Sequence, residues 1–504
     1  MLERLPSEIV RQIVSSFTRL DFITCAQVNR AWRQHLPPYS AHLWERIHIK
    51  TNDHLVFLAD TACFGQYITS CTITMHNDDT LPFLALERLR GCHLQSLALD
   101  SFNVKDNKRL ADLLRNIKSE SLAFTGVTGA CLDFIGIIAA AASDIRHFAC
   151  HYDGLCPSFM FGNHPPPPSL NTNHFGLVSL ALTTQNLVID WMDILQRCSA
   201  TLQHLHIGPS IPTISCQDIM ETCPRLQSMF IGEFSIPRML IWPPSSSDKP
   251  GLRYLCHWGA CYDVDAMKFI IRHQHTLEYL YLDTWVPVLQ QPWHDLDSFQ
   301  SNTLKTLECI NMHDCTPSTL VSLIRQSPNL DTVVLLPVGP IPDQIWHALM
   351  SLDTLRHLSI HLELPKHQHH NQEWHTIIRP LGAMTTLRQL ELQGLNGANS
   401  NQCCQLFQLL HDIPLVKLHL SHIRALDDMA LAALVHIKSL EEINITNCTL
   451  VTTRGIKTLI DGLPKLRNMT FSLFHAQRMP PGVDELVTYA KSSRGVKLIV
   501  NRCN

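Results

Sequence analysis

The amino-acid sequence predicts an α/β solenoid, a curved horseshoe with parallel strands on its concave face and helices on its convex face, preceded by a small all-α domain. Two observations predict this architecture. The phrase L-x-x-L-x-L recurs through most of the 504 residues, and such self-similarity at a fixed period is the signature of a repeat protein. Before the first repeat, residues 5–36 carry two short amphipathic helical patterns.

The first helical pattern begins at Pro6, which suits the first position of a helix, and continues with Ile9, Ile13 and Phe17 near helical spacing. We expect a second helix with Asp21 as its N-cap. Pro37 and Pro38 are expected to end this second helix. A unit of about 40 residues seldom folds alone. Part of its apolar surface is therefore expected to contact another protein or domain.

These residues resemble an F-box. The resemblance rests on L-P-x-E-I-V-x-x-I from Leu5, followed by Leu20, Val28, Arg30, Trp32 and a trailing Leu-Trp, and it covers residues 1–44. It implies that the two helices dock on a Skp-type adaptor, which in turn binds a cullin. The residues that the motif assigns to the adaptor-binding surface are Leu5, Pro6, Ile9, Val10, Ile13, Leu20, Val28 and Trp32.

Residues 45–504 form the predicted solenoid of about 17 repeats, and Trp44 is expected to open the series. Phrases that start at residues 202, 226, 252, 277, 304, 330 and 355 are separated by 24 to 27 residues, a spacing typical of leucine-rich repeats. Each phrase predicts a strand, and the rest of the repeat predicts a return segment that is commonly helical. The repeats resemble the cysteine-containing subclass, in which a Cys after the strand satisfies backbone groups of the turn. Cys448 and Cys315 match that position.

Longer intervals predict insertion loops near 157–175, 236–250 and 362–378, which are rich in Pro, Ser, Asn or His. His367, His369, His370 and His375 lie in the third loop and are metal-ligand candidates by residue type. A mobile loop offers no preorganised geometry for a metal ion. We therefore expect neither a metal nor a cofactor.

Composition excludes several classes of protein. Lys and Arg total 40 against 44 Asp and Glu, so the chain lacks the positive field that nucleic acid or an anionic membrane attracts. The longest apolar stretch, residues 134–142, is too short to span a bilayer, and no signal peptide is apparent. We expect a soluble cytoplasmic and/or nuclear protein whose 18 cysteines are reduced thiols.

The concave face is the predicted substrate site. Because strand side chains alternate, the residues that flank the later leucines of each phrase should face that side. Aromatic side chains cluster there in adjacent repeats, and such clusters often supply binding hot spots. The hypothesised site comprises His206, Phe230, Tyr254, Trp258, Tyr279, Tyr281 and Asp283. An alternative, left open by the sequence, is that a loop or a tail covers these rings. A polar rim with Glu308, Glu391, Lys417 and Glu442 follows.

An F-box followed by leucine-rich repeats is the layout of substrate receptors in SCF-type cullin ubiquitin ligases, and the resemblance implies that function. The chain contains none of the common catalytic motifs, such as G-x-S-x-G, H-E-x-x-H or a phosphate-binding loop. We therefore expect a non-catalytic adaptor whose concave face binds a protein substrate for ubiquitination. The alternative is a leucine-rich protein-binding scaffold that does not act in ubiquitination.

Overall fold

The computed structural model forms two compact units, Met1–Gly251 and Leu252–Asn504. Hereafter they are unit 1 and unit 2. The residues that the structure describes are 6–28, 32–33, 36–58, 64–74, 80–101, 103–104, 107–129, 137–138, 145–152, 175–184, 191–208, 215–231, 251–257, 266–283, 298–310, 317–336, 341–363, 378–396, 398–474 and 482–503.

Unit 1 begins with three helices, α1 (Ser7–Val14), α2 (Arg19–Val28) and α3 (Pro37–Trp44). α1 and α2 each pack against α3. Phe17 and Phe22 meet edge to face with ring centroids 5.5 Å apart. Trp44 is fully buried, and its indole stacks on Phe64 with a centroid distance of 4.4 Å. The helices therefore share a small aromatic core with the first turns of the repeat region.

The second helix starts earlier than the sequence predicted. Asp21 lies in its first turn, not at its N-cap. The Thr18 backbone N–H and hydroxyl donate to Asp21 Oδ2 at 2.7 and 2.8 Å, and the Asp21 N–H approaches Thr18 Oγ1 at 3.4 Å. This reciprocal pairing resembles a capping box, with Asp in the place of Glu. The carboxylate is therefore held at the helix start, where the helix dipole also favours a negative charge.

The prediction for the two prolines was also wrong. Pro37 begins α3, because proline fits the first turn of a helix, where its missing N–H would have no partner. Trp44 does not open the repeats but is the last residue of α3. The first strand follows at Arg46.

The remaining helices of unit 1 are α4 (Leu81–Arg88), α5 (Asn107–Leu114), α6 (Trp191–Cys198) and α7 (Cys216–Thr222), with 3-10 turns at Asn52–Leu58 and Gly65–Tyr67. The strands of unit 1 are β1 (Arg46–Ile49), β2 (Ser70–Thr74), β3 (His93–Asp100), β4 (Asn103–Val104), β5 (Lys118–Gly129), β6 (His147–Tyr152), β7 (Ser179–Thr184), β8 (His204–Ile207) and β9 (Ser228–Ile231). Each strand pairs in parallel with the next in chain order, except that β5 pairs with both β3 and β4.

The helices of unit 2 are α8 (Ala266–His273), α9 (Pro317–Arg325), α10 (Asp343–Met350), α11 (Ser400–Leu409), α12 (Asp428–Leu434), α13 (Thr453–Gly462) and α14 (Val483–Arg494), with a 3-10 turn at Leu410–Asp412. The strands are β10 (Tyr254–His257), β11 (Tyr279–Asp283), β12 (Thr306–Ile310), β13 (Thr332–Leu336), β14 (His357–Glu363), β15 (Gln389–Asn396), β16 (Lys417–Ser421), β17 (Glu442–Thr446), β18 (Asn468–Phe474) and β19 (Lys497–Cys503). Each pairs in parallel with its successor.

The register between neighbouring strands explains why apolar residues recur at fixed positions of the L-x-x-L-x-L phrase. Because equivalent positions of successive repeats are direct partners, the apolar residues stack in rows that face the helices and are buried. In unit 1 one such row contains Ile47, Cys71, Leu97, Leu122, Phe148, Leu180, Leu205 and Met229. In unit 2 the corresponding row contains Leu255, Leu280, Leu307, Val333, Leu358, Leu390, Leu418, Ile443, Met469 and Leu498. The fold is thus an α/β leucine-rich repeat with parallel strands, as the sequence predicted.

Cys448 occupies the turn after β17, as its resemblance to the repeat subclass implied. Its thiol is fully buried and donates to the carbonyls of Thr446 at 3.5 Å and Leu420 at 3.8 Å. Cys315 lies outside the described residues. So do the predicted insertion loops, apart from Phe175, the last two residues of β14 and the buried Ile378.

Candidate functional site

Four apolar side chains on α1 and α2 are exposed: Ile9 by 43%, Ile13 by 45%, Leu20 by 53% and Val28 by 79%. Ile9 and Ile13 are one helical turn apart and therefore lie on the same side of α1. Val28 lies at the end of α2. Large apolar residues exposed together mark a surface suited to a protein partner. We call these four residues the apolar helix surface.

The other sequence-assigned residues of this region are placed differently. Val10 is only 4% exposed and packs inside the helical domain, because it lies about 100° around the helix from Ile9, toward the interior. Its assignment to an exposed surface was wrong. Pro6 is exposed and Trp32 is partly exposed. Leu5 lies outside the described residues.

The predicted aromatic site is partly buried. In unit 1, the side chains of β8 are buried on both faces of the sheet, including His206 at 2% exposure. Burial lowers the pKa of neighbouring His204 to about 4. Phe230 is partly exposed, with its ring centroid 6.1 Å from that of His206.

In unit 2 one of the three predicted tyrosines is buried and two are partly exposed. Tyr281 is only 2% exposed, so an exposed ladder that includes it was the wrong prediction. Tyr254 and Tyr279 are partly exposed, with ring centroids 6.4 Å apart. Burial raises the pKa of both phenols. Asp283 is the last residue of β11, and Trp258 lies outside the described residues. Strand alternation predicts the side of the sheet on which a residue lies, but not whether that side is covered.

The open part of the sheet lies further along unit 2. From β12 to β17, side chains alternate between buried and partly exposed, which identifies one accessible face. We call this the polar sheet face. Its described members are Thr306, Glu308, Ile310, Thr332, Val334, Leu336, His357, Ser359, His361, Gln389, Glu391, Gln393, Lys417, His419, Glu442, Asn444 and Thr446.

A half-buried carboxylate lies near the middle of the polar sheet face. Glu391 Oε1 accepts a hydrogen bond from the Gln389 amide at 2.9 Å and lies 3.4 Å from His357 Nε2. These partners, His357 first, lower the Glu391 pKa to about 2. Next to them, Lys417 Nζ pairs with Glu442 Oε2 at 2.9 Å. The sequence analysis named Glu391, Lys417 and Glu442. It did not name His357 of β14 or His419 of β16, which lie on the same face of the sheet.

No group of three or more His, Cys, Asp or Glu in the described part of the chain is arranged to hold a metal ion. Within that same part, no helix combines the length and the apolarity needed to cross a bilayer. The cysteines that the structure describes are thiols and not disulfides, and most are buried. His367, His369, His370 and His375 lie outside the described residues.

Comparisons with known proteins concern both parts of the chain. Residues 2–50 match the family model described as F-box-like. No curated protein matches the sequence. Among solved structures, the crystal structure of a TLR13–ssRNA13 complex matches with 13% identity and a TM-score of 0.37, covering 92% of this chain and 54% of that chain. The present chain thus spans about half the length of that chain. An F-box-like domain at the N-terminus, formed around α1, α2 and α3, precedes the leucine-rich repeats.

Proposed function

We propose that this protein is the substrate-recognition subunit of an SCF-type cullin ubiquitin ligase. In this proposal the F-box-like domain docks on a Skp-type adaptor, which connects the chain to a cullin. The repeats bind a protein substrate and present it for ubiquitination. The chain is non-catalytic, and the chemistry of ubiquitin transfer belongs to its partners.

The observation that carries this proposal is the coincidence of the F-box-like match at residues 2–50 with the apolar helix surface. Ile9, Ile13 and Leu20 occupy positions that the F-box motif assigns to adaptor binding. Burying such a side chain fully contributes about 1.5 to 3 kcal/mol before the entropic cost of association is subtracted. Burial of several such side chains would supply part of the binding free energy.

The polar sheet face supports the second half of the proposal. It is an accessible surface of the described sheet in unit 2, and its charged and hydroxyl side chains suit specific recognition of a protein. The buried thiols agree with a reducing compartment. We therefore propose that the protein acts in the cytoplasm and/or the nucleus, where adaptors and cullins operate.

The proposal is tested by purifying the tagged full-length chain from a cell extract that contains the adaptor and the cullin. The wild-type chain should recover both. Ile9→Asp and Val28→Asp should each reduce adaptor recovery at least tenfold, because each places a charge in an apolar interface at a cost above about 1.4 kcal/mol.

Leu84→Asp is the matched control. Leu84 is an exposed leucine of α4 in the same unit, 39% accessible, and lies outside the apolar helix surface. This variant should recover the adaptor normally. Failure of the wild-type chain to recover the adaptor would favour the plain binding scaffold instead.

A further inference from the structure

The neighbourhood of Glu391 suggests which kind of protein segment the polar sheet face binds. Glu391 and His419 are direct partners on the adjacent strands β15 and β16. His357 approaches from β14, on the other side of Glu391. Three adjacent strands thus bring two imidazoles and one carboxylate together on the accessible side of the sheet.

Hydrogen bonding in this cluster is incomplete. His419 Nε2 is buried and has no hydrogen-bond partner among the described residues. Burial lowers the pKa of His419, so its imidazole is uncharged at neutral pH and can present an unprotonated nitrogen as an acceptor. A buried polar atom without a hydrogen-bond partner reduces the stability of the folded chain. A hydrogen-bond donor on a ligand would relieve that penalty.

The charges of this face favour a ligand with a positively charged side chain. Among the described members of the polar sheet face are three carboxylates, Glu308, Glu391 and Glu442, against one ammonium, Lys417. Lys417 is already paired with Glu442. The Glu391 carboxylate contacts the neutral amide of Gln389 and the imidazole of His357. An approaching positive charge therefore meets net attraction at Glu391.

The cluster also distinguishes lysine from arginine. Gln389 and His357 both approach the same oxygen of Glu391, Oε1. A guanidinium binds a carboxylate best through both oxygens at once. An ammonium is a compact point charge with three donors, which suits one carboxylate oxygen and one imidazole nitrogen.

We propose that Glu391 and His419 form a docking site for a lysine side chain of a protein segment lying on the polar sheet face. The lysine ammonium donates to the Glu391 carboxylate and, after the His419 ring turns to expose its Nε2 atom, to that nitrogen. This lysine is a recognition contact, distinct from any residue that receives ubiquitin. The inference deepens the proposed function, since it assumes that the repeats bind substrate, but it does not depend on adaptor docking.

The test measures fluorescence anisotropy of labelled hexalysine, hexa-arginine and hexaglutamate peptides with the purified full-length chain at neutral pH. Hexalysine should bind more tightly than hexa-arginine, and hexaglutamate should not bind. Glu391→Gln should weaken hexalysine binding about tenfold, as loss of one charge-assisted hydrogen bond predicts. His419→Phe, which keeps an aromatic ring without the nitrogen, should weaken it severalfold.

Glu441→Gln is the matched control. It removes the same charge from a residue that precedes β17 and approaches Arg467 at 3.5 Å, outside the polar sheet face. Its hexalysine affinity should equal that of the wild-type chain. No binding of hexalysine, equal loss in Glu391→Gln and Glu441→Gln, or preference for hexa-arginine would each overturn the lysine site. Adaptor recovery, measured in parallel, tests the proposed function independently.

Discussion

Cys448 shows how a single residue links a repeat turn to the core. Its thiol donates to two carbonyls of adjacent strands and is fully buried. Burial raises its pKa to about 12, and the pKa values of Cys71, Cys198 and Cys403 are likewise raised to about 12. These thiols are therefore protonated and unreactive in the folded chain at neutral pH.

The raised thiol pKa values predict loss of stability in alkali. A thiol of the unfolded chain loses its proton near pH 9, whereas the folded Cys448 keeps its proton up to about pH 12. Between these values the native state binds more protons, so the free energy of unfolding falls as the pH rises. Each such thiol contributes at most about 1.4 kcal/mol per pH unit. Urea unfolding under reducing conditions at pH 8, 9 and 10 measures this slope.

Cys448→Ala measures how much one thiol contributes to this pH dependence of stability. The variant should be less stable at pH 8, because it removes buried atoms and two hydrogen bonds, yet its stability should decline less steeply between pH 9 and 10. An unchanged slope would show that the Cys448 thiol titrates alike in both states. Cys404 provides a comparison, because it is only partly buried.

At the scale of secondary-structure elements, the contact between α12 and α13 depends on glycine. α13 contains Gly455 and Gly462 although glycine costs a helix about 1 kcal/mol relative to alanine. A Cβ at Gly455 would lie 2.9 Å from both Asp428 Cγ and Leu431 Cδ1, and one at Gly462 would lie 2.7 Å from Val435 Cγ2. The missing side chains let the two helices approach each other closely.

Gly455→Ala is therefore predicted to destabilise unit 2 by about 1 to 3 kcal/mol, the usual cost of overpacking. The added methyl group would displace Asp428, whose carboxylate accepts from the backbone N–H of Thr452 at 3.0 Å and from its hydroxyl at 2.5 Å. Thr452 is the N-cap of α13, so the helix start would also be disturbed. Thermal unfolding of the full-length chain measures the effect.

Gly382→Ala is the control. Gly382 lies in a further helical segment of unit 2, residues 378–383, and its added Cβ would meet Leu409 Cβ at 3.4 Å, an ordinary contact. The substitution should be neutral or slightly stabilising, because alanine favours a helix. Equal destabilisation by both substitutions would contradict the packing explanation.

The sequence predicted elements well where one periodic pattern determines them. Leu358, Leu390 and Leu418 recur at a fixed position of the phrase, and they are direct partners in the sheet. Helix α3 was missed because Pro37 signals both a helix end and a helix start. Whether the Tyr281 ring is covered was left open by the sequence, because burial depends on tertiary contacts that no local period records. His419 holds the same position in its phrase as Glu391, so the repeat spacing places both on one face, but that spacing does not show that His419 Nε2 is buried without a hydrogen-bond partner among the described residues.

At the scale of the whole molecule, the two proposed activities belong to different compact units. The apolar helix surface lies in unit 1, and the polar sheet face lies in unit 2. In a repeat protein each repeat contacts its neighbours, and stability is close to a sum of local terms. Damage to the core of one unit should therefore spare the activity of the other.

Trp346 offers a test of this separation. It is fully buried in α10 of unit 2, and replacing a buried aromatic residue with alanine costs about 3 to 5 kcal/mol. Trp346→Ala, in moderate urea chosen so that the wild-type chain stays folded, should lose hexalysine binding. The same sample should still bind the adaptor. Trp346→Phe, which leaves a smaller cavity, should keep more of the peptide affinity. If Trp346→Ala lost adaptor binding together with peptide binding, the chain would unfold as one cooperative block. The division of activities between the units would then have no energetic basis.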